Sequence, residues 1–379
     1  MTDRPFVLVA GTRPNLVKLA PLAVELRRRN TLPFRIVHTG QHYDDELSAN
    51  FFRVLGIPLP DENLEVGAGR PGAQTARILE RFEDLLLRQA FAAVVVFGDV
   101  TSTMACALAA AKQAIPVVHV EAGLRSFDRS MPEEINRVVT DAIADLLLVS
   151  EPAGMENLAR EGIDARRVNL VGNLMIDSLD RSIGEAVDRR SYERHGLARR
   201  EYAFLTMHRP SNVDDPETLR RLLTLFDGIS ERMPVLFAVH PRTRERIDAL
   251  RYQQRESSRF KLVGPVDYVD SLSLQEAAAV VFTDSGGMQE ETAALRVPCL
   301  TLRFNTERPI TVERGTSTLV GNEPRRIRAQ FQRVLDGTYG AGRGIDLWDG
   351  GAAGRIADVL EAFACQGTEP EGSSAGATR

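Results

Sequence analysis

The chain has 379 residues, of which 43% are hydrophobic and 26% charged, and its formal net charge is −5. Such a balance belongs to a globular protein of two ordinary domains, and it excludes a dedicated nucleic-acid binder, whose charge would be strongly positive. No apolar run is long enough to span a bilayer and no signal h-region opens the chain, so the expectation is a cytoplasmic protein with no membrane partner. Its three cysteines, Cys106, Cys299 and Cys365, have neither CxxC nor Cys/His metal spacing. Cys106 and Cys299 lie in apolar surroundings and read as buried free thiols of a reducing compartment.

In chain order, residues 6–10 form a short apolar strand, and GTRPN (11–15) turns it into a helix reaching about Arg29. Further strand-like runs fall at 34–39, 92–97, 116–120, 146–150 and 168–171, with amphipathic helices at 44–55, 73–88, 101–112 and 132–145. Apolar strands that alternate with helices predict a parallel, doubly wound sheet. The pattern restarts near residues 172–177, with strands at 202–207, 235–239, 260–263, 279–283 and 298–302. The expectation is therefore an α/β chain of two Rossmann-like domains facing a central cleft. It comprises an N-terminal domain over 1–171, a C-terminal domain over 172–350, and a helix over 351–366 that returns to the first domain. A Gly-, Ser- and Glu-rich tail over 367–379 reads as disordered.

Ligands of open parallel sheets sit beyond the carboxyl ends of the strands, so charged residues there are the ones to weigh. Arg13 and Lys18, at and just inside a helix N-terminus, suit a phosphate, although two solvated surface charges fit the motif as well. Asp99 and Glu121 each follow an apolar strand; two carboxylates on one rim can divide the acid and base roles of a proton transfer. The bland reading of Asp99 is a turn or cap. Ser130 and Glu133 fit a capping box opening the helix at 132, which gives Glu133 a structural reading beside a catalytic one. His208 and His240 follow two strands of the second half, and His208 could bind phosphate or assist proton transfer. In TDSGGMQEET (283–292), Ser285, Gly286 and Gly287 leave bare amides at a helix start, a site for a diphosphate. Glu291, on the same helix, could accept from ribose hydroxyls, or the segment could be only a Ser-capped helix with its acids placed to suit the dipole. GAGRPG (67–72) matches GxGxxG but follows no long apolar strand and contains Pro71, so it reads as a loop and no dinucleotide cofactor is expected. The acidic clusters lack EF-hand spacing and the histidines zinc spacing, so no metal is expected either.

Taken together, GTRPN with Lys18, TGQH (39–42), GDVTST (98–103), HVEAGLRS (119–126), PEEINR (132–137), HRPSN (208–212), TDSGGMQEET and NTERP (305–309) resemble the non-hydrolysing UDP-N-acetylglucosamine 2-epimerases. The resemblance runs in order from about residue 6 to about residue 321. It implies a GT-B-like fold, a homodimer, a UDP-sugar held between the domains, and no cofactor. Residue by residue it implies Arg13 and Lys18 beside the diphosphate, with Ser285, Gly286 and Gly287 on its other side. Glu291 would hold the ribose and Arg308 the nucleotide. Asp99, Glu121 and Glu133 would form the acid–base set, with His208 next to the departing phosphate. The implied reaction removes the C2 proton and UDP to give 2-acetamidoglucal, then adds UDP back with C2 inverted. A possible allosteric UDP-sugar site is implied at Gln41 and His42, where Asp44 replaces a second glutamine. Near the base, Val266 and Ser271 stand where relatives place a glutamine and an aromatic, with Tyr268 close by. Three alternatives share parts of this set. They are a GT-B glycosyltransferase, which needs an acceptor site; an epimerase of a UDP-2,3-diacetamido uronic acid, which wants an extra cation; and a silent UDP-sugar-binding regulator.

Overall fold

In the computed structural model, residues 4–40, 52–53 and 55–366 are described. The helix expected at 44–55 lies almost wholly outside them, and Gln41, His42, Asp44 and residues 367–379 lie outside altogether. The chain divides into two compact units, Met1–Ser178 with Asp349–Arg379, and Leu179–Trp348.

Unit 1 carries a seven-stranded sheet in the order β3-β2-β1-β4-β5-β6-β7. Its strands are β1 (Phe6–Ala10), β2 (Phe34–His38), β3 (Glu62–Asn63), β4 (Ala93–Phe97), β5 (Val117–Ala122), β6 (Leu146–Val149) and β7 (Val168–Leu170). Unit 2 carries six strands in the order β10-β9-β8-β11-β12-β13. These are β8 (Ala203–Thr206), β9 (Val235–Ala238), β10 (Phe260–Val263), β11 (Val280–Thr283), β12 (Cys299–Thr301) and β13 (Ser317–Leu319). Every described pairing is parallel. The central strands explain why. β1, β4 and β11 read FVLVA, AVVVF and VVFT, and every residue of them is buried. A strand covered on both faces by crossover helices needs apolar residues on both.

In each sheet the winding direction reverses once, between β1 and β4 in unit 1 and between β8 and β11 in unit 2. A reversal splays the two flanking loops apart and opens a crevice at the strand ends, the usual place for a ligand. The last helix, Ala352–Gln366, packs on the first, Arg13–Arg29. Its start is held by the Asp177 carboxylate, which accepts from the Ala352 and Ala353 amides at 3.2 and 2.7 Å.

Two expectations about the helix after β5 need correcting. It ends at Ile143, not at residue 145. Asp145 leaves it to join β5: its carboxylate accepts from the Val117 amide at 2.8 Å, and its own amide donates to the Val117 carbonyl at 2.8 Å. The capping box is also absent. The helix starts at Pro132 with Met131 as N-cap, and Ser130 bonds back to Asp128 through its amide at 3.0 Å and its hydroxyl at 2.6 Å. The carboxylate that reaches back is Glu134, which accepts from the Ser126 amide and hydroxyl and from the Phe127 amide at 2.8–2.9 Å.

Candidate active site

At the switch point of unit 1, Asn15 ties the first βα turn to its neighbour. Its Oδ1 accepts from the Thr12 amide at 3.2 Å, and its Nδ2 donates to the Phe97 carbonyl at the end of β4 at 2.8 Å. Arg13 is exposed at the first position of the helix, whereas Lys18 is buried. Five residues turn a helix by about 140° beyond a full circle, so the two cations point from different faces. The structure therefore does not pair them. It sends Lys18 Nζ to the Glu121 carboxylate, with both side chains buried. The contact passes close over Gly98, where an added Cβ would lie 2.9 Å from Nζ and where φ is +62°.

Glu121 is the next-to-last residue of β5 and sits at a bulge, where the register with β6 shifts between Val120 and Ala122. Its own φ is +71°, left-handed backbone in a residue with a long side chain. Such a conformation costs on the order of 1–3 kcal/mol and persists where the surroundings enforce it, most often at functional sites. Asp99 follows β4 and is held twice by the Pro132–Ile143 helix. Arg137 pairs with its carboxylate, and Asn136 Nδ2 donates to its carbonyl at 2.8 Å. Lys18, Asp99 and Glu121 are thus gathered around the Gly98 turn. Glu133 lies half-buried in the first turn of that helix, and its side chain makes no hydrogen bond or ion pair among the described residues. Gln41 and His42 cannot be placed, since they lie outside the described residues.

In unit 2, His208 follows β8 and Asp284 follows β11, so the switch point runs between them. His208 Nδ1 lies 3.0 Å from Asp284 Oδ1, and its side chain is 45% exposed. The same carboxylate accepts from the His208 and Arg209 amides and from Asn212 Nδ2, all at 2.9–3.1 Å. Burial would push the Asp284 carboxyl up. His208, Asn212 and the Arg209 amide outweigh burial and hold it near 2. Asp284 thereby fixes the His208 ring; its place directly after an apolar strand was the available signal in the sequence.

Ser285 is the N-cap of the helix Gly286–Leu295, with no side-chain capping bond, and Gly286 and Gly287 are its first residues. An added Cβ at Gly286 would lie 2.5 Å from Arg308 Nη1, so the glycine makes room for a guanidinium rather than facing open space. Arg308 is buried and paired with Glu290 at 2.7 Å and Glu307 at 2.5 Å. Glu307 also receives Arg303 at 2.6 Å and Arg209 at 3.7 Å. Three arginines converge on Glu307, with Glu290 the second carboxylate of the cluster. A guanidinium against a helix N-terminus is electrostatically unfavourable by itself, and the Glu290 and Glu307 carboxylates offset it here. Glu307, Arg303 and Arg209 are not distinguishable in the sequence from other surface charges; Arg303 and Glu307 share the loop after β12, and Arg209 reaches them from the segment after β8.

Glu291, on the same helix, is fully buried and accepts from Gln275 Nε2 at 2.7 Å. Burial pushes its carboxyl up to about 7, with the Glu290 charge adding to that and Gln275 opposing it. Beside it, Gln275 Oε1 and the Tyr268 hydroxyl are buried with no hydrogen-bond partner among the described residues, leaving an unfilled acceptor and an unfilled hydroxyl. A carboxyl raised in the folded state stabilises the fold fully below its unfolded value and loses that contribution as pH rises through the folded one. From about 4.5 to about 7 the shift corresponds to about 3 kcal/mol of stability lost on raising the pH. Urea unfolding across that window is expected to show a falling slope that Glu291→Gln flattens. An unchanged slope in the variant would assign it to other groups.

The chain is similar in sequence to known proteins along nearly its whole length. Residues 24–361 match the family model described as UDP-N-acetylglucosamine 2-epimerase. A UDP-N-acetylglucosamine 2-epimerase of Methanocaldococcus jannaschii is 40% identical over 339 residues, 87% of this chain and 92% of that protein. A UDP-2,3-diacetamido-2,3-dideoxy-D-glucuronate 2-epimerase of Pseudomonas aeruginosa is 36% identical over 363 residues, 93% of this chain and 98% of that one. Among solved structures, the M. jannaschii UDP-GlcNAc 2-epimerase in complex with UDP-GlcNAc and UDP superposes with a TM-score of 0.88 at 37% identity, covering 94% of this chain and 99% of that chain. On both sequence and structure, the chain belongs to the UDP-N-acetylglucosamine 2-epimerase family.

Proposed function

We propose that the protein interconverts UDP-N-acetylglucosamine and UDP-N-acetylmannosamine by eliminating UDP and adding it back, through 2-acetamidoglucal. The observation that carries this reading is the Lys18–Glu121 pair, buried at a left-handed bulge at the end of a central strand with Asp99 across the Gly98 turn. An ion pair requires Glu121 as a carboxylate, the form able to take a proton. The reading assigns proton transfer at C2 to Asp99, Glu121 and Glu133. One of these carboxylates takes the C2 proton while the C1–O bond breaks and its electron pair leaves with the β-phosphate. The C2–H electrons become the C1=C2 bond. Return of a proton on the opposite face, with UDP re-adding at C1, gives the epimer.

The leaving diphosphate is assigned to Arg308, to the Ser285, Gly286 and Gly287 amides, and to Arg13, with His208 beside the phosphate. Preorganised donors aimed at developing negative charge are the largest single source of catalysis in such steps. Glu291, taking ribose hydroxyls as a carboxylate, binds with release of a proton near neutral pH. The reading includes a cytoplasmic homodimer. Cys106 and Cys299, buried free thiols, support the reducing compartment, and sedimentation equilibrium tests the dimer.

Incubation with UDP-N-acetylglucosamine alone in D₂O, without acceptor, nicotinamide or divalent metal and with EDTA present, is expected to yield the epimer carrying deuterium at C2. Proton NMR of the product shows it. Retention of the original hydrogen together with a need for NAD would overturn the mechanism. A second reading keeps the chemistry but takes a UDP-2,3-diacetamido uronic acid, the class of substrate in the name of the P. aeruginosa relative. Parallel incubations with the two nucleotide sugars distinguish them by kcat/KM.

A further inference from the structure

Behind the Asp99 and Glu121 turns of unit 1 lies a charged cluster whose inner members, His119, Asp141 and Arg125, are buried. His119, in the middle of β5, is fully buried. Its Nδ1 lies 2.6 Å from Asp141 Oδ1, and its Nε2 lies 2.8 Å from the Gly98 carbonyl oxygen. The second Asp141 oxygen accepts from the Gly123 amide at 3.0 Å and from Arg125 Nη2 at 2.7 Å. Arg125 in turn forks onto Glu161 at 2.7 and 2.8 Å.

The donors can be counted. A carbonyl oxygen only accepts, so Nε2 carries a hydrogen. Burial pushes the Asp141 carboxyl up, but His119 and Arg125 outweigh it and hold it below its ordinary value. The Gly123 amide and the Arg125 guanidinium on its second oxygen mark Asp141 as a carboxylate, which also only accepts, so Nδ1 carries a hydrogen too. The ring is an imidazolium. Two cations, His119 and Arg125, then meet two anions, buried Asp141 and outer Glu161, and the cluster is neutral.

Its two attachment points matter. Gly98 immediately precedes Asp99, and Gly123 follows Glu121 by two residues; both are left-handed, with φ of +62° and +80°. His119 grips the first turn directly and the second through Asp141. Their backbones lie on adjacent strands, and one ring sets the spacing of both turns from behind.

We propose that His119 is a doubly protonated positioning residue whose two N–H groups hold the Asp99 and Glu121 turns in register for proton transfer. Its catalytic consequence rests on the epimerase reading, but its protonation does not, so two readouts separate them. In uniformly ¹⁵N-histidine-labelled wild-type protein at neutral pH, the ring signals that vanish in His119→Gln are expected to show a hydrogen on both nitrogens. A bare nitrogen would overturn the proposal whether or not the protein is an epimerase.

For activity, His119→Ala is expected to lower kcat about 100-fold with KM nearly unchanged, as slight misplacement of reacting groups does. Added imidazole should restore turnover, whereas 1-methylimidazole, which offers one N–H even when protonated, should not. Equal rescue by the two, rescue by neither in a folded variant, or undiminished turnover would each count against the role. If His119→Ala does not fold, His119→Gln and His119→Asn each keep a single donor nitrogen and are expected to lose turnover alike; wild-type turnover in either overturns it. Wild-type protein that leaves UDP-sugars untouched would remove the epimerase reading and leave the protonation result standing.

Discussion

Glu133→Gln is expected to lower turnover by roughly 100-fold or more while leaving folding stability within about 0.5 kcal/mol. The separation of the two effects is what the structure adds. A capping Glu133 would have cost stability on substitution, but the cap is not there; the backward clasp belongs to its neighbour Glu134, which holds the Ser126 and Phe127 amides and pairs with Arg137 at 2.8 Å. Glu133 has no partner among the described residues to lose, and it stands on the helix whose Asn136 and Arg137 hold Asp99. Glu134→Gln serves as the converse, with stability falling by about 2 kcal/mol as charged hydrogen bonds weaken in a buried setting. Urea unfolding and initial rates with UDP-N-acetylglucosamine measure both. Near-normal turnover in folded Glu133→Gln removes that residue from the acid–base set.

Lys18→Met carries the largest expected effect on stability. It deletes the cation and leaves the Glu121 carboxylate buried at a backbone conformation it does not favour. Breaking one side of a buried pair costs about 3–5 kcal/mol, because the remaining charge is desolvated without compensation. Adding Glu121→Gln to Lys18→Met is expected to recover much of that loss, since a neutral amide beside a thioether leaves no orphan charge. The double-mutant cycle by urea unfolding reads the coupling directly. A loss below about 1 kcal/mol in Lys18→Met would place the pair in contact with water, as surface pairs are. Turnover is expected to be lost in all three variants, so stability and not rate is the discriminating measurement here.

What the sequence determined by itself is the layered βα architecture and the order of its strands along the chain. Runs such as AVVVF at 93–97 and VVFT at 280–283, short and rich in β-branched residues, read as strands covered on both faces, and the alanine-rich Thr101–Lys112 between strands reads as a crossover helix. The strands β3 and β13, two and three residues long at sheet edges, carry no such signal, because an edge strand needs neither an apolar run nor a full ladder of partners. Motif reading also located the strand-end residues Asp99, Glu121, His208 and Ser285. It could not say what each side chain touches, because those contacts join residues far apart in the chain. Lys18 lies 103 residues from Glu121, and only the pairing of β1, β4 and β5 brings them together. The same holds for His208 and Asp284, for His119 and Asp141, and for Arg209 and Glu307. Local spacing even misled at Ser130, where a good capping pattern lost to a turn at 126–128 clasped by Glu134. Periodicity and propensity act over a few residues and so reach the elements; charge pairing and burial act through space, so the partners of each charge were decided only when the sheets formed.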